Sequence, residues 1–167
     1  LTAATEIDLS FDFVPQGGYA APPAAVGESF DRMLAHVAPN WATLRESVEV
    51  GPGTYLIIMP NNAQVVAAVQ PLVDWRKRQG YHVLAATTAQ TGTTASSIKS
   101  YIQNIYNTVS PPLEHVSLVG DATGTVMLPT WNEQVTYYQG EGDHYYTTLE
   151  GGDILADVNV GRLTVRN

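Results

Sequence analysis

The stretch EHVSLVGDA, residues 114–122, decides the fold of this chain. Its apolar side chains, among them Val116 and Leu118, predict a buried strand, and Gly120 ends that strand. Asp121 follows at once. Ligands of open α/β sheets bind at the carboxyl ends of the strands. We therefore expect this strand to place the carboxylate of Asp121 at the functional edge of a sheet.

The sequence before this strand repeats the same kind of unit. TYLIIM (54–59) and YHVLAATT (81–88) predict two further strands, and residues 61–80 and 93–109 carry apolar side chains at helical spacing. Strand and helix alternate at a spacing that is typical of a βαβαβ unit with right-handed crossovers. The sequence therefore predicts an α/β fold in three layers, with a mostly parallel sheet and helices on both faces.

The first predicted helix has clear start and stop signals and one irregularity. Asn61 or Asn62 can cap its start, and Gly80 is a typical stop. Pro71 lies inside the segment, and proline lacks the N–H that a helix interior needs. We expect either a kink at Pro71 or a helix that begins late.

The N-terminal part of the chain has a different pattern. EIDLSFDFV (6–14) alternates apolar and polar residues, which predicts a strand with one wet face, as in antiparallel sheets. This strand is either the last strand of a preceding β domain or a partner of ESVEV (46–50). Residues 15–27 have the Pro, Gly and Ala content of a linker.

Residues 28–37 predict a short helix, and residues 39–53 are mostly irregular. The expected buried side chains of this helix are Phe30, Met33, Leu34 and Val37.

Residues 128–163 contain two short strand candidates, 144–149 and 154–160, joined by Gly-Gly. They predict an antiparallel excursion that returns to the sheet.

Composition excludes several classes of protein. The formal net charge of −8 argues against a protein that binds nucleic acid or anionic lipid. There is no Cys, so the chain has no disulfide, no thiol nucleophile and no thiolate metal ligand. No apolar run approaches the roughly 20 residues that a membrane helix needs.

Half of the 16 acidic residues lie in one segment without Lys or Arg. They are Glu114, Asp121, Glu133, Glu141, Asp143, Glu150, Asp153 and Asp157. Clustered carboxylates repel one another unless they are solvated, paired or bound to a cation. Ca²⁺ takes six to eight oxygen ligands, many of them carboxylates. We therefore consider Asp121, Asp153 and Asp157, with Asp143 as a fourth, as ligands of a calcium ion; a solvated acidic face is the alternative. Arg162 is the first base after this segment and is expected to pair with one of its acids.

Several motifs taken in order resemble the first half of the gingipain-type cysteine peptidase domain. They are an apolar strand (54–59) before a helix that ends in D-W-x-x-x-x-G (74–80), an S-I-K helix (97–99), L-V-G-D (118–121), and an acidic, aromatic segment that closes in G-R (161–162). The resemblance covers about residues 54–163. It implies a caspase-like or Rossmann-like α/β fold made of two subdomains, and a protein that is secreted or held at the cell surface.

The same resemblance implies a function whose chemistry lies elsewhere. The family uses a Cys nucleophile and a His general base that lie in the second subdomain, so no catalytic residue can be assigned in this chain. It also implies calcium near the acids matched by Asp121, Asp153 and Asp157. Residues 1–50 would be the end of an upstream, pro-domain-like β module plus a linker, and residues 51–167 the first subdomain of the peptidase domain, truncated before the catalytic subdomain.

The implied partner is a protein or peptide substrate bound through the missing catalytic subdomain. Two alternatives are a surface binding module without catalysis (a pseudo-peptidase) and a receiver-like domain with Asp121 as the phospho-acceptor. The second alternative needs a nearby strand-end lysine, and no Lys follows Lys99.

Overall fold

The described part of the chain alternates strands and helices as the sequence predicts. The structure, a computed structural model, describes residues 25–135 and 138–164. The strand predicted over 6–14 and most of the linker predicted over 15–27 lie outside these residues. The described elements are β1 (Ala25–Gly27), α1 (Glu28–Val37), α2 (Trp41–Arg45), β2 (Glu49–Gly51), β3 (Thr54–Met59), α3 (Ala63–Arg78), β4 (His82–Thr87), α4 (Thr88–Thr91), α5 (Ala95–Thr108), β5 (Leu113–Val119), β6 (Trp131–Val135), β7 (Tyr138–Gly142), a 3₁₀ turn (His144–Tyr146) and β8 (Asn159–Leu163).

A parallel sheet forms the centre of the fold. Its strand order is β4-β3-β5-β8, and every pair in it is parallel. All six residues of β3 are buried, which explains why its sequence is a continuous apolar run. The prediction of a mostly parallel α/β fold is confirmed. None of the described helices is long and apolar enough to cross a membrane.

Helices cover both faces of this sheet. Leu56 and Ile58 of β3 pack in one core with Ile98 of α5. Ile57, which points the other way, packs in a second core with Val69 of α3. Because strand side chains alternate between faces, one strand supplies both cores. Full burial of each such side chain contributes roughly 1.5–3 kcal/mol relative to exposure.

Asn62, one of the two residues predicted to cap α3, caps its start. The side chain of Asn62 accepts hydrogen bonds from the backbone N–H groups of Gln64 (2.9 Å) and Val65 (3.3 Å). The predicted cap is therefore confirmed, and the prediction of a late start is wrong because the helix begins at Ala63. Pro71 lies on the exposed face of α3. Water can reach the carbonyl that its missing N–H leaves without a partner there.

The N-terminal segment forms a small unit of its own. β1 pairs in parallel with β2, and α1 has the predicted bounds. Its expected buried face is only half correct, because Met33 and Val37 are 48% and 67% exposed. Phe30 and Leu34 are half-buried against a cluster of three buried residues, Val26, Trp41 and Val48. Among the described residues this cluster covers only part of the apolar face of α1.

The antiparallel excursion exists, but it lies earlier in the chain than expected. It is the pair β6–β7, within residues 131–142. The strand predicted over 144–149 is wrong: this segment turns, with N–H···O bonds from Tyr146 to Asp143 (3.0 Å) and from Thr147 to His144 (2.9 Å). The strand predicted over 154–160 begins only at Asn159, and it does return to the sheet as β8 beside β5.

Glu114 joins the N-terminal segment to the sheet. Its side chain is 1% exposed, and its carboxylate accepts hydrogen bonds from the backbone N–H groups of Ser29 (2.7 Å) and Gly53 (3.0 Å). Burial alone would raise the pKa of Glu114, but the bonds from Ser29 and Gly53 and the neighbouring His115 hold that pKa below its ordinary value. Asn159 adds a bond from its side-chain amide to the hydroxyl of Ser29 (3.1 Å).

Two glycines on either side of Pro52 test this junction. A Cβ at Gly53 would lie 2.7 Å from the carbonyl oxygen of Pro112 and 2.8 Å from Cβ of Glu114, whereas a Cβ at Gly51 would meet nothing within 4 Å. We expect Gly53→Ala to lower the free energy of unfolding by about 1–3 kcal/mol and Gly51→Ala to change it by less than about 0.5 kcal/mol. Urea denaturation of both variants measures the difference. Equal stabilities would contradict the packing of Glu114 against Gly53.

Candidate functional site at the carboxyl edge of the sheet

The turn after β5 shows why glycine and aspartate follow this strand. Gly120 has φ +134°, and a Cβ there would lie 2.7 Å from the carbonyl oxygen of Val126. The N–H of Asp121 donates to that same oxygen (3.2 Å), and the N–H of Leu128 donates to the carbonyl of Asp121 (2.8 Å). The chain therefore folds back directly at the carboxyl end of β5, in a conformation that favours glycine.

Arg162 holds this turn from the neighbouring strand. It lies on β8 opposite Leu118 of β5. Its Nη1 donates to the carbonyl oxygens of Gly120 (3.0 Å) and Leu128 (2.8 Å), and its Nη2 donates to that of Pro129 (3.3 Å). One guanidinium thus binds both ends of the loop that follows β5.

The same guanidinium makes a bidentate ion pair with Asp143. Nε donates to Oδ2 (2.8 Å) and Nη2 donates to Oδ1 (2.7 Å). The side chains of Arg162 and Asp143 are only 13% and 18% exposed. All five N–H donors of the guanidinium therefore have acceptors. The expectation that Arg162 pairs with one of the acids is confirmed.

Aromatic side chains pack beside this ion pair. Tyr146 is fully buried, and its hydroxyl donates to the carbonyl of Pro129 (2.6 Å). Burial, with a smaller effect from Asp143, raises the pKa of Tyr146 to about 12. The ring of Tyr145 stacks on that of Trp131, with centroids 3.8 Å apart and planes at 12°. These contacts attach the start of β6 to the 3₁₀ turn.

Lys99 fixes the other side of the same turn from α5. Its Nζ donates to the carbonyl of Tyr145 (2.6 Å), to the carbonyl of Thr148 and to the Thr148 hydroxyl (3.2 Å). It also lies 4.8 Å from the centroid of the Tyr145 ring. Burial lowers the pKa of Lys99, and the charge of Asp157 opposes this effect.

Sequence reasoning assigned no role to Lys99, although a signal was available. Between Arg78 and Arg162 it is the single Lys or Arg in the chain. It also lies next to Ile98, which belongs to the buried face of α5.

The four acids considered as calcium ligands each accept a hydrogen bond within the chain. Asp143 pairs with Arg162, and Asp121 accepts from the N–H of Ala122 (2.8 Å). Oδ2 of Asp157 accepts from the N–H groups of Leu149 (2.6 Å) and Glu150 (2.8 Å), and Oδ1 of Asp153 accepts from that of Leu155 (2.8 Å). These hydrogen bonds of Asp143, Asp153 and Asp157 thus belong to the ion pair and to turns of the chain.

The fold also places these acids at two different ends of the sheet. Asp121 and Asp143 lie at the carboxyl edge of the sheet, whereas Asp153 and Asp157 belong to the loop that enters β8 at its amino end. Within residues 25–135 and 138–164, no three His, Asp or Glu side chains gather in a way that could hold a metal ion. The four acids therefore do not form a calcium cage by themselves, and the calcium site stays a prediction.

Comparison with known proteins identifies the kind of domain. The sequence model of peptidase family C25 matches residues 49–167. No curated protein matches the chain. The complex of the pro- and mature domains of Porphyromonas gingivalis RgpB is similar in fold, with a TM-score of 0.59 and 21% identity over 69% of this chain and 26% of that chain.

Two further solved structures are similar over the same share of the chain. The crystal structure of the Arg-specific cysteine proteinase gingipain R (RgpB) has a TM-score of 0.57 and 20% identity, over 69% of this chain and 25% of that one. A structure described as a protease has a TM-score of 0.56 and 25% identity, over 68% of this chain and 24% of that one. The chain spans about a quarter of the length of these structures.

Replacing Arg162 by lysine tests the ion pair at this edge. Lysine keeps the charge but lacks the planar fork, so it cannot reach Asp143 and three carbonyls together. We expect Arg162→Lys to lower the free energy of unfolding by about 1–3 kcal/mol.

Arg45 provides a matched control. It also bonds one carboxylate, that of Asp31, with two nitrogens (2.6 and 3.1 Å), but its side chain is 52% exposed. Arg45→Lys should change stability by less than about 1 kcal/mol. Urea denaturation measures the free energy of unfolding of both variants. Equal losses of this free energy would show that the ion pair of Arg162 stabilises the fold no more than an exposed ion pair does.

Proposed function

Because the chain belongs to peptidase family C25, we propose that it is the first α/β subdomain of a gingipain-type cysteine endopeptidase and forms one wall of a cleft for protein or peptide substrates. One observation carries the proposal: the sequence model of the family matches residues 49–167. The chain itself contains no Cys. The nucleophile must then come from polypeptide outside these residues.

The chemistry proposed for the whole enzyme is covalent catalysis by a thiolate. A His general base takes the proton of the Cys thiol, and the thiolate attacks the carbonyl carbon of the scissile peptide bond. The residues of this chain would help to position the substrate. Arg162 and Lys99 have no N–H donor to offer a substrate, since each is bonded throughout to the chain itself. Their proposed role is to keep the wall rigid, which matters because small displacements of a substrate lower the rate strongly.

The proposed location is outside the cell or at its surface. The resemblance to gingipains supports it, and the acidic composition, with a formal net charge of −8, suits a soluble domain in such a setting.

The peptidase proposal is tested with the natural protein that contains this chain and with residues 1–167 alone. We expect the longer protein to hydrolyse a quenched fluorescent casein and to lose that activity after treatment with iodoacetamide. Residues 1–167 alone should show neither hydrolysis nor alkylation, because they carry no thiol. In the longer protein, Arg162→Lys should lower kcat/KM by about tenfold or more, whereas Arg45→Lys should leave it unchanged.

A different result would favour a binding module without catalysis. The absence of Cys is the observation that favours this second function. A longer protein that is folded by circular dichroism but shows no thiol-dependent hydrolysis would reject the peptidase. Capture of intact protein ligands by that inactive protein would then support a pseudo-peptidase.

We also propose a structural calcium ion, with Asp121, Asp143, Asp153 and Asp157 as the residues to test. The support is the density of acids in this segment and the resemblance to gingipains. A cation that binds only the folded state raises its stability with concentration. We expect millimolar Ca²⁺ to raise Tm relative to EDTA and Mg²⁺ to raise it less. Asp121→Asn and Asp153→Asn show which end of the sheet holds the ion: one of them should remove the calcium effect and the other should leave it, because the two acids lie at opposite ends of the sheet.

Glu46→Gln, at an exposed position on the N-terminal segment, is the control for a general effect of charge. Equal melting temperatures with EDTA and with Ca²⁺ would refute the calcium site and leave the peptidase proposal untouched.

A further inference from the structure

A cavity of about 390 Å³ lies between the N-terminal segment and the body of the fold. One wall is formed by β1 and α1. The other is formed by the amino end of β5, by the last turn of α5 and by Asp157, which precedes β8. The volume falls within the range of roughly 300–1,000 Å³ that is typical of sites for small ligands.

Most of the cavity wall is apolar. Val26, Phe30 and Leu34 line it from the N-terminal segment, and Pro112 and Leu113 line it from the sheet. Phe30 and Leu34 are half-buried, so the cavity lies beside the incompletely covered face of α1. Such a wall suits the hydrocarbon body of a ligand.

The polar side chains of the cavity are two carboxylates and one phenol. They belong to Glu114, Asp157 and Tyr106, and no Lys, Arg or His lines the cavity among the described residues. The Tyr106 hydroxyl donates to Oε2 of Glu150 (2.9 Å), which brings a third carboxylate near. Burial first, and then the bond to Glu150 and the charges of Glu150 and Asp157, raise the pKa of Tyr106 to about 12.

The two carboxylates in the wall are not equivalent. Glu114 is bonded through both oxygens, to the N–H groups of Ser29 and Gly53. Asp157 uses Oδ2 for its bonds to Leu149 and Glu150. Asp157 is only half-buried, so its carboxylate is the better placed of the two to meet a cation that enters the cavity.

We propose that this cavity binds a small organic cation: a protonated amine carried on an apolar body. The ammonium group would lie at Asp157, and the apolar body would lie against Phe30, Leu34 and Leu113. Glu114 and Glu150 add negative charge there, whereas Lys99, which is bonded to the carbonyls of Tyr145 and Thr148, opposes it in part. The charge complementarity favours this ligand over a neutral or an anionic one of the same shape. The proposal does not depend on the peptidase function.

The N-terminal residues of the chain do not have the charge expected of an occupant of this cavity. Residues 1–24 contain Glu6, Asp8 and Asp12 but no Lys or Arg. Their charged side chains would repel the carboxylates of the cavity.

Three probes that each carry a phenyl ring on a short chain and differ in charge test the inference on residues 1–167. They are phenethylammonium chloride, neutral 2-phenylethanol and anionic 3-phenylpropionate, each titrated by NMR at neutral pH in EDTA, so that no calcium is present. We expect saturable binding of the ammonium ion, binding about tenfold weaker for the alcohol, and none for the carboxylate. Shifted resonances should include those of Phe30 and Leu113.

Two variants and a control locate the site. Asp157→Asn should weaken binding of the ammonium ion about tenfold and leave binding of the alcohol unchanged. Asp74→Asn, at an exposed position on α3 outside the cavity wall, should change neither. Leu34→Trp, which fills the cavity from α1, should abolish binding of both.

Equal affinities of the wild-type protein for the ammonium ion and the alcohol would overturn the proposal, as would undiminished binding of the ammonium ion by Leu34→Trp. If Asp157→Asn fails to fold by circular dichroism, Leu34→Trp and the three probes still decide. A binding site confirmed in EDTA would stand even if the calcium site or the peptidase were refuted.

Discussion

The guanidinium of Arg162 is the interaction on which the carboxyl edge of this fold depends. A buried guanidinium is costly unless a carboxylate pairs with it and every N–H finds an acceptor. Here Asp143 supplies two oxygens, and the carbonyls of Gly120, Leu128 and Pro129 supply three more. These acceptors come from different places in the chain. The hydrogen bonds of this one guanidinium therefore fix three places at the same time: the end of β5, the loop after it and the entry to the 3₁₀ turn.

Lys99, a half-buried cation, completes this arrangement from the other side. Lys99 on α5 bonds the carbonyls of Tyr145 and Thr148, and the ring of Tyr145 stacks on Trp131. A segment that has no regular secondary structure of its own is thus fixed between a helix and a strand by two cations. This explains how β6 and β7 can leave the sheet while β8 returns to it in register with β5.

The sequence predicted the elements whose environment is uniform and missed those whose position depends on distant partners. TYLIIM (54–59) is apolar throughout because β3 is covered on both faces, so its pattern alone identifies it. Residues 144–149 are rich in residues that favour strands, yet they turn, because Tyr146 bonds Pro129 and Lys99 bonds Tyr145. Local propensity contains no information on such bonds. For the same reason the pairing of Arg162 with an acid could be expected, while its three carbonyl acceptors could not.

The acidic segment can fold with so few local bases because its carboxylates find N–H donors instead. Asp143 pairs with the largely buried side chain of Arg162. Asp157 accepts two backbone N–H groups, and Glu114 accepts two more at the opposite end of β5. Backbone donors stabilise a carboxylate without cancelling its charge. The negative field therefore persists at the amino end of the sheet, where Glu114 and Asp157 lie, whereas Arg162 neutralises Asp143 at the carboxyl end. The N-terminal segment leaves a space beside Asp157 within this field. A cation in that space would be attracted by carboxylates whose cost of desolvation is already offset by their hydrogen bonds to the backbone.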